Sequence, residues 1–355
     1  MRLIFTTLIG LVTAASLTAE PAGPREPVKR SDFHVTSDPG VRIAVREVSA
    51  PGTRHDRPPV LLLHGARVPG VASFDLRVPG GSLAEDLARA GHRVYVMDAR
   101  GYGASTRPAA LSRPPQESRP AVRSDEVVRD VAAVVDRIAP KGPVALLGWA
   151  TGAHWLGQYA AANPGRVSHL VLYNTLYGPV DGHPTLGRGS DSEDPAHPGR
   201  FDAARYGAYR LSTGASLLPS WDSSIPAEDK TAWRDPALAD AYIKAALASD
   251  PTSGTRTPPS FRAPSGAMED SFYLATGRQL WDAGTITART LIVRSERDFW
   301  SRPEDVTRLR EHLVHAREVR SVELPEATHY VHLDRAERGR ERFVREVVNF
   351  LGLAG

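Results

Sequence analysis

Apolar positions along the chain follow two alternating rhythms. Compact apolar runs stand at 59–63, 94–97, 144–147, 170–173 and 290–293, the first four bounded on at least one side by Gly, Pro, His, Asp or Asn. Runs of four or five such residues, hemmed in by turn formers, predict strands buried on both faces. A further strand is expected at 319–324. Between the strands the period changes to that of a helix. In 125–139 the residues Val127, Val128, Val131, Val134, Val135 and Ile138 recur on one face, with Ser124 as the expected N-cap and Pro140 as the stop. Similar helices are expected at 82–90, before Gly91, and at 151–163, before Pro164. Residues 42–48 alternate apolar and polar, the pattern of an outer antiparallel strand. Strand–helix alternation of this kind predicts an α/β fold, a doubly wound and mostly parallel sheet with helices on both faces. Its two parts span 41–173 and 286–355.

The rhythm stops at Asn174 and resumes only near 286. The intervening stretch, 174–285, is too long for an ordinary loop. It holds Trp221, Trp233, Tyr242, Phe261, Phe272, Tyr273 and Trp281, an aromatic content foreign to disordered linkers. A large cap insertion over the carboxyl ends of the strands is expected, with several of these aromatics lining a pocket.

The start of the chain has a different pattern. Met1 and Arg2 precede an apolar stretch, 3–17, with small-residue cleavage sites at 13–15 and 17–19. This predicts a signal peptide over 1–19 and a secreted or periplasmic protein. The run is shorter than the ~20 residues of a membrane span, and Pro21, Gly23 and Pro24 follow at once, so no membrane attachment is expected after cleavage. A flexible leader is expected over 20–40. Composition narrows the chemistry. Net charge is +3, carried mainly by scattered Arg, with no basic block; no nucleic-acid partner is expected. The absence of Cys removes thiol catalysis, disulfides and Cys-based zinc sites. The twelve His are scattered, and neither a metal site nor a cofactor is expected.

One stretch carries the sharpest signal. Between the strand at 144–147 and the helix at 151–163 stands Gly148-Trp149-Ala150-Thr151-Gly152. A strand that turns abruptly into a helix strains the residue at the tip and crowds its neighbours, so small residues are needed on both sides. Gly148 and Gly152 supply them. The tip is Ala150, which has no hydroxyl.

With four other pieces, each after an expected strand, this stretch resembles the α/β-hydrolase superfamily and its serine-type esterases and lactonases. The pieces are Leu61-Leu62-Leu63-His64-Gly65, Asp98-Ala99-Arg100-Gly101-Tyr102-Gly103-Ala104-Ser105, Arg294-Ser295-Glu296-Arg297-Asp298 and Ala327-Thr328-His329. The resemblance implies a site at the carboxyl ends of the strands. Ala150 would hold the nucleophile position, Asp298 would be the acid and His329 the base, in the chain order nucleophile, acid, base. Glu296 competes with Asp298, and His332 with His329. The amides of Ala66 and Thr151 would form the oxyanion hole, His64 would organise its loop, and Asp98 would be structural. Trp149, Arg67 and Trp300 are candidate substrate contacts; Arg262 and Arg302 are further cations for a carboxylate.

Ala150 leaves three readings open: a serine replaced by alanine with its companions intact, a natural binding protein, or non-hydrolytic chemistry at His329. A carboxylate nucleophile is disfavoured, Thr151 would place Trp149 where a small residue is needed, and His154 is expected to pack near the elbow. The resemblance thus implies hydrolysis of a small ester or lactone with an apolar or aromatic part, with little or no turnover while Ala150 is in place.

Overall fold

The computed structural model describes residues 26–353; the expected signal peptide lies outside them. The described strands, in chain order, are β1 (Lys29–Thr36), β2 (Arg42–Ser49), β3 (Val60–Leu63), β4 (Val94–Met97), β5 (Val144–Trp149), β6 (Val167–Tyr173), β7 (Tyr209–Thr213), β8 (Ser260–Pro264), β9 (Arg289–Arg297) and β10 (Val319–Thr328). Eight of them form one sheet in the order β1-β2-β4-β3-β5-β6-β9-β10. From β4 to β10 all neighbours are parallel; β2 is antiparallel to both β1 and β4. The doubly wound α/β architecture read from the hydrophobic pattern is present.

Burial follows the pleat. Val60, Leu62, Val94, Val96, Ala145 and Leu147 face one apolar cluster, while Leu61, Leu63, Tyr95, Met97 and Leu146 face the other. Successive side chains of a strand point to opposite faces, so the unbroken runs feed two cores. Helix Ser124–Ile138 lays its valines on the second core.

Two expectations need correction. The stretch expected as a flexible leader, 20–40, holds β1, which pairs with β2 from Lys29–Ser49 to Thr36–Arg42. Consequently β2, though antiparallel, is not the outermost strand. The sequence of β1, KRSDFHVT, is mostly polar because an edge strand buries little. Ser124 is also not the N-cap: that position belongs to Arg123, whose amide donates to Glu126 Oε2 at 2.9 Å, while the Ser124 amide donates to Asp270 Oδ2 at 2.8 Å. Carboxylates satisfy the free donors at the helix start.

Between β6 and β9 the chain forms the antiparallel pair β7–β8 and short helices, including Leu218–Ser224 and Pro236–Ala248. Leu217, Trp221, Trp233, Leu238, Tyr242 and Phe261 join the same apolar cluster as β5 and the loop after β10. Among the described residues no helix is long and apolar enough to cross a membrane.

Candidate active site

The site is built at the carboxyl ends of β3, β5, β9 and β10. β5 passes into helix Thr151–Ala162 through Ala150, whose backbone has φ 52° and ψ −115°. Its amide donates to Tyr173 O at 2.8 Å, which pins the turn to β6. The flanking glycines are required. A Cβ on Gly148 would lie 2.4 Å from Ala153 Cα, and one on Gly152 would lie 2.2 Å from Leu63 O. A non-glycine residue in such a region of backbone space costs about 1–3 kcal/mol. Replacing Ala150 by Gly is therefore expected to raise stability by about 1 kcal/mol, read from the urea midpoint. An unchanged or lower midpoint would mean that the turn is not strained.

Asp298 follows β9 and His329 follows β10. His329 Nδ1 lies 2.5 Å from Asp298 Oδ1. The Asp298 carboxylate also accepts from the Trp300 and Ser301 amides at 3.1 and 2.8 Å and from the Ser301 hydroxyl at 2.5 Å. These donors fix the carboxylate, which in turn orients the ring. Glu296 is exposed and accepts from the Glu326 amide at 2.6 Å, so it is not the partner of His329. His332 packs behind the site: its Nδ1 meets Tyr173 Oη at 3.2 Å, and burial holds it well below the usual imidazole range.

The His329 backbone is anchored as well. Its carbonyl accepts from Trp149 Nε1 at 3.1 Å, Tyr173 Oη at 2.9 Å and Asn174 Nδ2 at 3.3 Å. Asn174, which also accepts from the Ser295 amide at 2.8 Å, ties β9 to the loop after β10. Sequence reading missed it; the visible signal was an Asn closing an apolar run, a residue that tolerates the φ of 50° found there.

After β3 the chain turns over the elbow. His64 Nδ1 donates to Gly65 O at 2.7 Å and its Nε2 accepts from the Ala99 amide at 3.1 Å, a loop-shaping role. Asp98 accepts from the Gly70 and Ala104 amides at 2.8 and 3.0 Å and has a structural role. Ala66 and Thr151 border the same cavity, and the amide of neither donates to an acceptor among the described residues. His154 accepts from Trp281 Nε1 at 2.9 Å, and burial brings it down to about 4; it packs against the cap segment.

The cavity enclosed by these parts measures about 160 Å³. It is lined by Trp149, Ala150, Thr151 and His329, by Arg67, Phe299, Trp300 and Tyr330, and by Arg210 and Tyr242 from the segment between β6 and β9. A larger cleft of about 650 Å³ beside helix Leu83–Arg89 is lined by Arg77 and by the ion pairs Arg30–Glu85, Arg89–Glu85 and Arg340–Asp86, and it contains none of the groups just described.

A family model described as alpha/beta hydrolase fold matches residues 58–336. The chain belongs to the α/β-hydrolase family. No curated protein matches it. Among solved structures it is similar to E-2-(acetamidomethylene)succinate hydrolase, with 20% identity, 92% of this chain and 100% of that one covered, and a TM-score of 0.57. A thermophilic esterase from Thermogutta terrifontis, solved with malate bound, is 17% identical over 91% of this chain and 98% of its own, with a TM-score of 0.56. A serine-to-alanine mutant of the meta-cleavage product hydrolase from Pseudomonas fluorescens, complexed with acetates, is 17% identical over 90% and 96%, with a TM-score of 0.54.

In this α/β-hydrolase chain, Ala150, Asp298, His329, Ala66, Thr151, Trp149, Arg67 and Trp300 come together. Arg262 and Arg302 do not join them: they are held by Asp250 and Asp305. The expectation that several cap aromatics line the pocket is met by Tyr242 alone. Trp221 and Trp233 serve instead as struts against the His329 loop, donating to Asp334 Oδ1 at 2.8 Å and Glu326 O at 3.3 Å. Arg210, Phe299 and Tyr330 were missed, since nothing in their local pattern sets them apart.

Asp334, buried under that loop, accepts from Thr328 Oγ1 at 2.7 Å and Trp221 Nε1 at 2.8 Å, and burial pushes its carboxyl up to about 7. In the unfolded chain it would titrate near 3.9. Its favourable contribution is therefore complete below about pH 4 and is lost as pH rises through 7. Asp334→Asn removes that dependence. The stability difference in favour of the Asn variant is expected to grow by on the order of 2 kcal/mol from pH 5 to pH 8. Equal differences at both pH values in urea titrations would exclude a buried titrating carboxyl.

Proposed function

We propose that this chain presents an esterase-type site for a small carboxylic ester or lactone with an apolar or aromatic part, in which Ala150 stands where a serine nucleophile would act. One observation carries the reading. Ala150 keeps the left-handed tip conformation beside a hydrogen-bonded Asp298–His329 pair and two free amides at one cavity. Backbone strain clusters at functional sites, and here the strained residue lines the same cavity as the base.

As it stands, the protein holds its ligand and lacks the group that opens the covalent step. The oxyanion donors and the cavity remain, so residual turnover should be small. The test is turnover of aryl esters and lactones by Ala150→Ser, set against the unsubstituted chain and Ala150→Ser/His329→Ala. The intact Asp298–His329 hydrogen bond favours a second reading, in which His329 takes a proton from substrate or water without a covalent intermediate. That reading requires activity in the unsubstituted protein that disappears with His329→Ala. Export is part of the proposal, supported by the signal-like pattern of 1–19, and fractionation of cells expressing the full chain tests it.

A further inference from the structure

The cavity contains two cations with no anion to meet them. Arg67 donates to the hydroxyls of Ser212 at 3.2 Å and Ser216 at 2.8 Å. Arg210 reaches Ala66 O at 3.2 Å and Met268 Sδ at 3.0 Å. Among the described residues no Asp or Glu pairs with either. Elsewhere several withdrawn arginines meet a carboxylate, Arg100 with Asp130, Arg262 with Asp250 and Arg302 with Asp305, while Arg107 is held by the carbonyls of Gly101, Gly103 and Ser249 away from the cavity. Arg210 Nε is buried with no hydrogen-bond partner, and so is Trp300 Nε1. Both residues border the cavity that holds Ala150 and His329. A buried donor left unsatisfied costs on the order of 1–3 kcal/mol, more for a charged group, and an acceptor brought into the cavity would offset part of that cost.

We infer that the ligand of this site carries a carboxylate, held by Arg67 and Arg210 while its ester or lactone carbonyl lies at Ala150 and His329. The inference rests on the esterase-type reading for the position of the carbonyl and on the two arginines for the charge. Withdrawal from water, with Arg67 close by, brings the Arg210 guanidinium down to about 10; an incoming anion relieves both effects. A guanidinium suits a planar carboxylate because its donors form a fixed fork. Size narrows the class further. About 160 Å³ is close to the volume of an engineered cavity that takes up one benzene. The ligand is therefore a small monoanion, a half-ester of a short dicarboxylic acid or a small carboxylated lactone.

Ala150 allows binding to be measured without turnover. Titration calorimetry of the unsubstituted protein with monomethyl succinate and monomethyl maleate, against the two dimethyl esters, reads the charge preference directly. The half-esters are expected to bind at least about tenfold more tightly, a discrimination of about 1.4 kcal/mol. Arg67→Met and Arg210→Met should each shrink that ratio, and Arg210→Lys should keep part of it. A purely structural arginine would weaken both esters alike and leave the ratio unchanged. Because Arg210 also holds the Ala66 loop, circular dichroism checks its variants; if Arg210→Met does not fold, Arg67→Met decides. Equal affinity for half-esters and diesters, or a ratio that survives Arg67→Met, overturns the inference. An inert Ala150→Ser protein that still prefers half-esters would remove the hydrolytic reading and leave the anion site standing. Efficient hydrolysis by Ala150→Ser with equal KM for both ester types would do the reverse.

Discussion

Ala150→Ser is expected to raise ester or lactone hydrolysis by at least about 10³-fold over the unsubstituted chain, since the other members of such a site are worth little without the nucleophile. The tip already has φ 52°, so one added oxygen requires no new backbone. The introduced hydroxyl would attack the carbonyl carbon as its proton passes to His329 Nε2. Asp298, 2.5 Å from Nδ1, holds the ring in the tautomer that leaves Nε2 free to accept. The carbonyl oxygen would gather charge between the Ala66 and Thr151 amides. The leaving oxygen would then take the proton from His329 as the ester bond breaks, and water, activated by the same ring, would release the acid. Steady-state rates on the ester panel measure the gain. His329→Ala in the Ala150→Ser background should remove most of it, with the KM of the surviving activity little changed. A folded Ala150→Ser protein that is inert on neutral and anionic esters alike would leave a binding protein as the better reading.

The second large effect lies two residues along. Gly152→Ala should cost about 3 kcal/mol or more, because overpacking of this severity has no cheap relaxation. The new Cβ would stand 2.2 Å from Leu63 O and 2.5 Å from His64 O. Both are backbone atoms, so either the end of β3 or the start of the helix must move. Gly142→Ala is the control: nothing lies within 4 Å of a Cβ there, and a change within about 0.5 kcal/mol is expected. Comparable losses in the two variants, measured by urea denaturation, would refute the steric account. Partial unfolding by Gly152→Ala should also disturb the loop that carries the Ala66 amide.

Why some of this was legible in the sequence follows from the range of the interactions. The central strands were visible because both of their faces are buried, which leaves an unbroken apolar run such as Val60–Leu63. The elbow was visible because its two glycines answer a steric demand within five residues. Asp298 and His329 were placed by their position after successive strands, and geometry then separated Asp298 from Glu296. What stayed hidden depends on distant partners. β1 is polar and owes its existence to β2. β7 and β8 pair across some fifty residues, so the position of Arg210 over the elbow has no local trace. Asn174 acts by joining β9 to the loop after β10, a role that its neighbours in sequence do not announce.

The ties between the cap and the His329 loop have a consequence for redesign. Trp221 donates to Asp334, Ser220 meets Tyr330 at 3.0 Å, the Arg335 amide donates to Trp233 O at 2.7 Å, and Arg338 lies over the Trp233 ring at 4.2 Å. The insertion is thus riveted to the segment that presents the base. A chimera that exchanges 174–285 for the corresponding part of another family member would sever these links and leave His329 on a loosened support. A workable graft would have to carry residues 326–340 with it, so the smallest transferable unit is discontinuous in sequence.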